Sequence, residues 1–290
     1  MALKDYCFDG SKKCKLSKIP TNSKKDKVDK EKIIQKTEKN MLKMQEYQNR
    51  LYADGREGLI ILLQAMDAAG KDSTIKNVMS GVNPQGVEVH NFKTPSAEEL
   101  AHDFMWRVNK CIPRRGMIAI FNRSYYEDVL VVQVHDMNKG YHMAERVIGQ
   151  SKEDFFGKRY GHIRSYEDYL FENSYRIVKI FLNVSYEKQK ERFLERLDMP
   201  EKNWKFSSSD LKERALWGDY QKAYEKTINE TASKNAPWYV IPADQKWYTR
   251  YLVSEAILDA MKAIDPQYPE MPAEEKAKLD EYRQALLEEK

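Results

Sequence analysis

The chain has 290 residues, of which 41% are hydrophobic and 32% are charged, with a net charge of +4 and a mean hydropathy of −0.76. This composition predicts a soluble protein, and no apolar run approaches the roughly 18 residues that span a bilayer. The lysine-rich N-terminus lacks the apolar segment of a secretion signal, so we expect a cytoplasmic protein with no membrane partner. Three cysteines without a C-x-x-C pair, and five histidines without an H-E-x-x-H motif, argue against a disulfide framework and a zinc hydrolase.

Basic charge is concentrated at the start of the chain. Residues 1 to 50 contain 14 Lys and Arg and 7 Asp and Glu. Residues 1 to 30 show little apolar periodicity, which predicts an extended basic arm. This arm is either a solvated tail or a segment that attracts a polyanion, and charge alone does not choose between nucleic acid and polyphosphate.

The following elements alternate between helices and strands. A helix is predicted for residues 31 to 53, where apolar residues recur at helical spacing before the turn Asp54-Gly55. Residues 96 to 110 form a second helical pattern with a Ser96/Glu99 capping box. Five short apolar runs predict strands, at residues 58–63, 87–92, 116–121, 176–184 and 238–242. The sequence therefore predicts a three-layer α/β fold with a mostly parallel, five-stranded sheet.

The loop after the first predicted strand carries a recognisable phosphate-binding pattern. Residues 64 to 74 read Gln-Ala-Met-Asp-Ala-Ala-Gly-Lys-Asp-Ser-Thr, which resembles a Walker A P-loop. Small residues let backbone N–H groups approach phosphate oxygens, Lys71 can reach the transferring phosphates, and the next helix offers its positive N-terminal end. Ala65 replaces the usual first glycine, and Asp72 replaces the hydroxyl residue that usually holds Mg²⁺. The alternative is a strand-to-helix turn with capping residues.

Two carboxylates in this loop need an explanation. Asp67 would be repelled by a neighbouring phosphate chain unless a divalent cation lay between them. We therefore expect Asp67 to bind Mg²⁺, with Mn²⁺ as an alternative. Asp72 is either an anion stabilised in the first turn of a helix or a catalytic group.

The third predicted strand ends in Phe-Asn-Arg-Ser-Tyr-Tyr-Glu-Asp, residues 121 to 128. Its carboxyl end should face the P-loop, because ligands bind outside the carboxyl ends of strands in open α/β sheets. Arg123 is then expected to neutralise charge on a transferring phosphoryl group. Glu127 either faces the metal or closes a capping box with Ser124, and both interpretations stay open.

These motifs together resemble the family-2 polyphosphate kinases. The resemblance is carried by residues 67–72 and 122–124 and extends over about residues 30 to 262, through similar stretches at 83–86, 92–96, 106–107, 204–206 and 217–220. It implies a P-loop kinase fold like that of thymidylate kinase, with a helical lid at about residues 195 to 220. It also implies Mg²⁺-dependent phosphoryl transfer between inorganic polyphosphate and nucleoside mono- and diphosphates.

The resemblance further implies a branch and a set of site residues. Glu127 resembles the class III branch, which converts AMP to ADP and ADP to ATP, and guanine nucleotides are further candidates. The expected catalytic residues are Asp67, Lys71 and Arg123, and the expected metal ligands are Asp67 and Glu127. Expected phosphate-binding residues are Ala68, Ala69, Gly70, Lys71, Asp72, Ser73, Lys76, Lys205 and Arg214. Expected nucleotide-binding residues are Asn83, Phe92, Asn122, Arg123, Glu127 and Asp128.

The complete prediction is a basic arm at residues 1–30, a P-loop kinase domain at 31–265 and an acidic helical tail at 266–290, assembled as a homo-oligomer. The lid lysines have a plainer alternative as a solvated helix face. An ATP-dependent nucleoside monophosphate kinase would share the fold but should carry a regular Walker A loop, so Ala65 and Asp72 count against it. A nucleic-acid-binding P-loop protein lacks support, because no zinc finger, Arg-rich helix or aromatic RNA-binding run is present. We therefore expect no nucleic acid partner.

Overall fold

Six strands form one sheet in the computed structural model, which describes residues 3–289. The strands are β1 Cys7–Phe8, β2 Gly58–Ala65, β3 Val87–Asn91, β4 Ile118–Asn122, β5 Tyr175–Asn183 and β6 Trp238–Pro242. The α-helices are α1 Lys30–Asp54, α2 Lys71–Val78, α3 Ala97–Ala101, α4 Trp106–Asn109, α5 Val131–Val134, α6 Glu145–Ile148, α7 Lys152–Glu172, α8 Tyr186–Asp198, α9 Pro200–Asn203, α10 Ser208–Ala215, α11 Trp217–Thr231, α12 Lys246–Ile264, α13 Ala273–Ala277 and α14 Leu279–Glu288. Short 3₁₀ helices lie at Leu3–Tyr6, Leu16–Lys18, Lys24–Asp26, Pro84–Gly86, Tyr125–Val129 and Met137–Gly140.

The strand order is β1-β6-β5-β2-β4-β3. β2, β3, β4, β5 and β6 are parallel, and the two-residue β1 pairs antiparallel with β6. All eight residues of the central β2 are buried, as expected for a parallel strand that is covered on both faces. The predicted α/β class and the five predicted strands are confirmed, and β1 is an addition that the sequence did not indicate.

Helices cover the sheet in two groups. α12 packs against β5, β6, α1 and α2, whereas α7 packs against β5 and α11. α1 begins after Asp29, whose side chain accepts a hydrogen bond from the backbone N–H of Lys32, and ends at Gly55 with a φ of 65°. The result is the three-layer arrangement that alternating strands and helices predict.

The basic N-terminal segment differs from the extended arm expected from the sequence. Tyr6, Phe8, Cys14 and Leu16 are buried, while most of the lysines between them are exposed. The backbone N–H of Cys14 donates to Asn229 Oδ1 at 2.7 Å, which ties the segment to α11. The apolar residues are too irregularly spaced to predict a helix or strand, but they bury enough surface to fix residues 3–29 on the fold.

One predicted helix is divided in the structure. The Ser96/Glu99 capping box is confirmed, since Ser96 Oγ accepts from the N–H of Glu99 and Glu99 Oε2 accepts from the N–H of Ser96. The helix nevertheless stops after α3, and four residues separate it from the start of α4. Between them Asp103 Oδ1 accepts a hydrogen bond from the N–H of Met105 at 2.9 Å, which stabilises a turn in place of a continuous helix.

The lid and the tail are the exposed parts of the fold. In the lid α9 and α10 follow α8, and Trp204 between them is 77% exposed. Residues 267–289 are all exposed and contain α13 and α14. No helix within residues 3–289 is long and apolar enough to cross a membrane.

Candidate active site

The P-loop connects the end of β2 to the start of α2. Its backbone makes a tight turn, in which Ala68 has a φ of 60° and Gly70, the residue before α2, has a φ of 106°. The left-handed conformation costs an alanine roughly 1–2 kcal/mol, so the surrounding structure must hold it. Glycine adopts it freely, which explains Gly70 in the motif.

Lys71, the first residue of α2, lies in the loop and donates a hydrogen bond from Nζ to the carbonyl of Ala65 at 3.1 Å. Burial and the neighbouring Arg123 lower the pKa of Lys71 to about 8, although Asp67 and Glu127 act in the opposite direction. A bound anion would act against both causes and raise this pKa, because it would place a negative charge beside the ammonium group.

Arg123 is the centre of a charge cluster at the end of β4. Its Nη2 donates to Asp67 Oδ1 at 2.8 Å, and its Nη1 contacts Glu127 Oε2 at 3.3 Å. Burial alone would lower the pKa of Arg123, but Glu127 and Asp67 raise it above its usual value. The backbone of Arg123 also has a positive φ, of 66°, a second strained position at this site.

The structure decides between the two interpretations of Glu127. Residues 125–129 form a 3₁₀ helix, and Ser124 Oγ accepts from the N–H of Tyr126. In a capping box the Glu127 side chain would return to the backbone of Ser124. It turns instead to Arg123, so the capping-box interpretation is wrong and Glu127 faces the P-loop.

Asp72 and Asn122 bridge the loop and the sheet. Asn122 Nδ2 donates to Asp72 Oδ1 and to Asn91 Oδ1, each at 2.8 Å. Asp72 also lies in the first turn of α2, where the helix dipole stabilises an anion. The hydrogen bond from Asn122 and the position at the start of α2 both agree with Asp72 as an anion stabilised by the helix, as opposed to a catalytic group.

A cavity of about 460 Å³ opens in front of the P-loop. Its lining combines loop residues, the ends of β3 and β4, and the lid side of the fold. The predicted residues that line it are Asp67, Ala68, Gly70, Lys71, Asp72, Ser73, Phe92, Asn122, Arg123 and Lys205. The lining contains eight Lys and Arg and three Asp and Glu side chains, so the cavity suits a polyanion.

Other predicted residues lie outside this cavity. Lys76 is exposed on α2, and Asn83 is bound to Gln48 of α1. Arg214 donates to the carbonyl of Tyr186 and to Gln189 Oε1. Ala69 is buried in the loop.

Five basic lining residues were missed by the sequence analysis. They are Lys93, Arg192, Arg196, Lys202 and Lys246. The spacing of Arg192 and Arg196, both in α8, was a usable signal because residues four apart share one face of a helix. Lys93 follows the predicted strand at residues 87–92, so the rule for the carboxyl ends of parallel strands was a signal for it too. Lys246 had none, since only the folded sheet brings it near the P-loop.

A second pocket, of about 260 Å³, is lined on one side by Arg107. Its apolar lining includes Leu100, Phe104, Met143 and Val147. The wall between the cavities is Arg107, whose guanidinium lies 5.4 Å from the Phe92 ring and donates to the carbonyl of Lys93. The pocket is therefore adjacent to the phosphate cavity, but its lining offers more apolar surface.

Asp128 is the predicted nucleotide-binding residue in this apolar pocket. Its Oδ1 lies 3.5 Å from Arg159 Nη1 and accepts a hydrogen bond from the Tyr141 hydroxyl. Burial raises the pKa of Asp128 to about 6, although Arg159 and Arg107 lower it. A partly satisfied carboxylate in an apolar pocket can recognise a polar group on a ligand.

The fold and site define a P-loop phosphotransferase: a lysine and an arginine converge on the N-terminal end of a helix, at the carboxyl edge of a parallel sheet. Residues 27–269 match the family model of polyphosphate kinase 2. The chain belongs to the polyphosphate kinase 2 family, whose members transfer phosphoryl groups between polyphosphate and nucleotides.

Individual relatives agree with this assignment. The chain is 44% identical to the ADP-polyphosphate phosphotransferase of Rhodopseudomonas palustris, over 98% of both chains. It is 45% identical to the AMP/ADP-polyphosphate phosphotransferase of Meiothermus ruber, over 79% of this chain and 80% of that one. The crystal structure of polyphosphate kinase 2 from Arthrobacter aurescens is similar, with a TM-score of 0.84 and 36% identity over 97% of both chains.

Proposed function

We propose that this chain uses polyphosphate to phosphorylate AMP to ADP and ADP to ATP. The observation that carries the proposal is the set of cations that line the phosphate cavity: Lys71 and Arg123 at the P-loop, Lys202 and Lys205 in the lid, and Lys246 at the start of α12. A chain of phosphates needs several cations in one cavity, whereas a single nucleotide donor needs a pocket for its base. The similarity to an AMP/ADP enzyme and to an ADP enzyme supports both acceptors.

In this proposal the terminal phosphate of the donor lies on the P-loop. The backbone N–H groups at the start of α2 and the Lys71 ammonium hold its oxygens. Arg123 exchanges Asp67 and Glu127 for the transferring phosphoryl group, whose charge it neutralises. The remaining donor phosphates extend along the lid lysines.

The side chains around Arg123 fit a magnesium ion. Asp67 and Glu127 contact two nitrogens of the same guanidinium group, so both carboxylates lie close to one centre. An ion here would take its other ligands from phosphate and water, because Mg²⁺ usually keeps several waters and is bound through one or two carboxylates. When bound, Mg²⁺ would supply positive charge that offsets the charge of the phosphates.

In this proposal the base of the acceptor nucleotide lies in the apolar pocket beside Arg107. Phe104 and Leu100 offer apolar surface, and Asp128 and Arg107 offer polar groups that can orient a base. Asp128 follows Glu127 in the chain, so a nucleotide with its base here can direct its phosphate towards Arg123. An acceptor phosphate is already ionised, and in-line attack therefore needs positioning more than a strong base.

The test is the formation of ADP and ATP from AMP and polyphosphate, with purified protein and no other phosphate donor. We expect ADP to appear first and ATP after it, with both products dependent on added Mg²⁺. GMP and GDP in place of AMP test guanine nucleotides, and sedimentation tests the homo-oligomer. Product formation from ATP and AMP alone, without any from polyphosphate, would contradict the proposal.

A further inference from the structure

Side chains of α8 hold the P-loop from behind. Gln189 Nε2 donates to the carbonyl of Asp67 at 2.9 Å. Arg192 Nη1 donates to the carbonyls of Ala68 and Ala69, at 3.0 and 2.6 Å. Three successive carbonyl groups of the loop are thus directed towards one helix.

This arrangement decides where the N–H groups of the loop point. In a trans peptide the C=O and N–H of one unit point in opposite directions, so fixing these carbonyls turns the N–H groups of Ala68, Ala69 and Gly70 away from α8. The N–H of Ala69 closes the turn onto the carbonyl of Met66. The N–H groups of Ala68 and Gly70 have no partner among the hydrogen bonds of residues 3–289, and both residues line the phosphate cavity.

Arg192 is committed to backbone carbonyls. Its Nη2 donates to the carbonyls of Ala243 and Asp244, at 2.7 and 3.3 Å, in the loop after β6. Four of its five N–H groups are therefore used on two loops, which leaves one for a phosphate oxygen. Arg192 lines the cavity, but its bonds suit the support of a loop better than the binding of an anion.

Gln189 connects the same loop to the lid. Its Oε1 accepts a hydrogen bond at 2.7 Å from Nη1 of Arg214, which belongs to lid helix α10. The guanidinium of Arg214 also lies 3.5 Å from the ring centre of Tyr186, at the start of α8. A gap of only about 20 Å³ separates Asp210 and Glu213 of the lid from Asp67 and Arg123, so the lid helix is packed close to the P-loop.

We propose that Arg192 and Gln189 are positioning residues that keep the N–H groups of the P-loop directed at the phosphate, and that Gln189 links the position of the lid to the loop. Arg214 thereby acts on the reaction through Gln189, without contacting the phosphate. When the lid moves away, the buried Gln189 amide loses one partner and the Asp67 carbonyl is held less firmly. The proposal rests on the P-loop as the phosphate site.

Arg192→Lys and Arg192→Met test the first part. A lysine keeps the charge but cannot form the four-bond fork. We expect both variants to lose about tenfold or more in kcat, with KM for polyphosphate changed less than threefold. If Arg192 bound phosphate by its charge, Arg192→Lys would retain most of the activity while Arg192→Met would raise KM. Thermal unfolding of each variant measures how much of the protein is folded. If activity fell only in proportion to the folded fraction, so that kcat per folded molecule stayed normal, the positioning role would also be overturned.

A double-mutant cycle tests the link to the lid. Gln189→Met and Arg214→Met should each lower kcat by about threefold or more, and the double variant should lose no more than the larger single loss, because both act through one bond. Lys212→Met, in the same helix and exposed, removes the same charge and should change kcat less than twofold. Multiplicative losses in the double variant, or an equal loss in Lys212→Met, would overturn the link. If the wild-type protein formed no ADP or ATP from polyphosphate, the proposed function would be refuted, and the positioning roles of Arg192 and Gln189 with it.

Discussion

The phosphate cavity and the apolar pocket are built by different means. The phosphate cavity depends on backbone direction and charge: a strained loop, the start of α2 and a set of cations. The apolar pocket depends on side-chain shape: Leu100, Phe104, Met143 and Val147 supply apolar surface, beside charged side chains that include Asp128 and Arg107. We expect the first to control how fast phosphate is transferred and the second to control which molecule receives it.

The largest effect should come from the centre of the phosphate cavity. Lys71→Ala should lower turnover with polyphosphate by about 10²-fold or more, because a charge contact to the transferring group is lost. The KM for AMP and ADP should change little. Lys76→Ala, on the exposed side of the same helix, is the matched control and should stay within twofold. Normal turnover in Lys71→Ala would remove the P-loop from the mechanism.

Glu127 contacts Arg123, which lines the phosphate cavity, and precedes Asp128, which lines the apolar pocket. Glu127→Gln should lower activity about tenfold and raise the Mg²⁺ requirement, because an amide oxygen is a poorer ligand for a hard cation. AMP phosphorylation should suffer more than ADP phosphorylation, since AMP brings fewer phosphate oxygens of its own. Mg²⁺ titrations with each acceptor measure both effects, with the exposed Glu153→Gln as control. An unshifted Mg²⁺ dependence would leave Glu127 as a partner of Arg123 alone.

Phe104 tests the apolar pocket. Loss of an aromatic surface under a base costs about 1–3 kcal/mol, so Phe104→Ala should raise the KM for AMP and ADP about fivefold or more. The KM for polyphosphate should not change. Tyr169→Ala removes an exposed aromatic ring of α7 outside the pocket and controls for general effects. A change in the KM for polyphosphate instead would mean that the two cavities do not divide the substrates as proposed.

The smallest effect should be one of pH. Because the pKa of Lys71 is about 8 in the free protein, and a bound anion raises it, binding takes up a proton above that pH and affinity falls as pH rises. Affinity for pyrophosphate should weaken about threefold from pH 7.5 to 8.5. Lys71→Arg, which stays charged, should flatten this dependence in calorimetric titrations. A slope that survives the substitution would assign it to another group.

The sequence could predict the centre of the phosphate cavity but not the apolar pocket. Lys71 and Gly70 occur in a contiguous motif after a buried strand, and Arg123 follows the end of another strand, so the rule for open α/β sheets brings them together. The fold class followed from five apolar runs. These signals are local in the chain or follow from one general rule of topology.

The missing parts are set by contacts between distant segments. Arg192 lies more than 120 residues from the P-loop carbonyls that it binds, and nothing near it in the sequence indicates that contact. The apolar pocket draws residues from α3, α7 and the segments between them, so it exists only after packing. The contact of Glu127 with Arg123 also needed the structure, because Ser-x-x-Glu is typical of a capping box at a helix start.

The packing of the N-terminal segment has a consequence for synthesis of the chain. The side chain of Thr21 is hydrogen-bonded to Asp244 and that of Asn40 to Ser254, pairs that are 223 and 214 residues apart. The N-terminal residues are synthesised first, but these hydrogen bonds can form only after the segment around residues 244 to 254 has been synthesised. Closing loops of this length is entropically costly and slow, and the buried faces of the N-terminal segment stay open to solvent meanwhile. This kinase should thus acquire its native core late, after α12 has been made, and not progressively during translation.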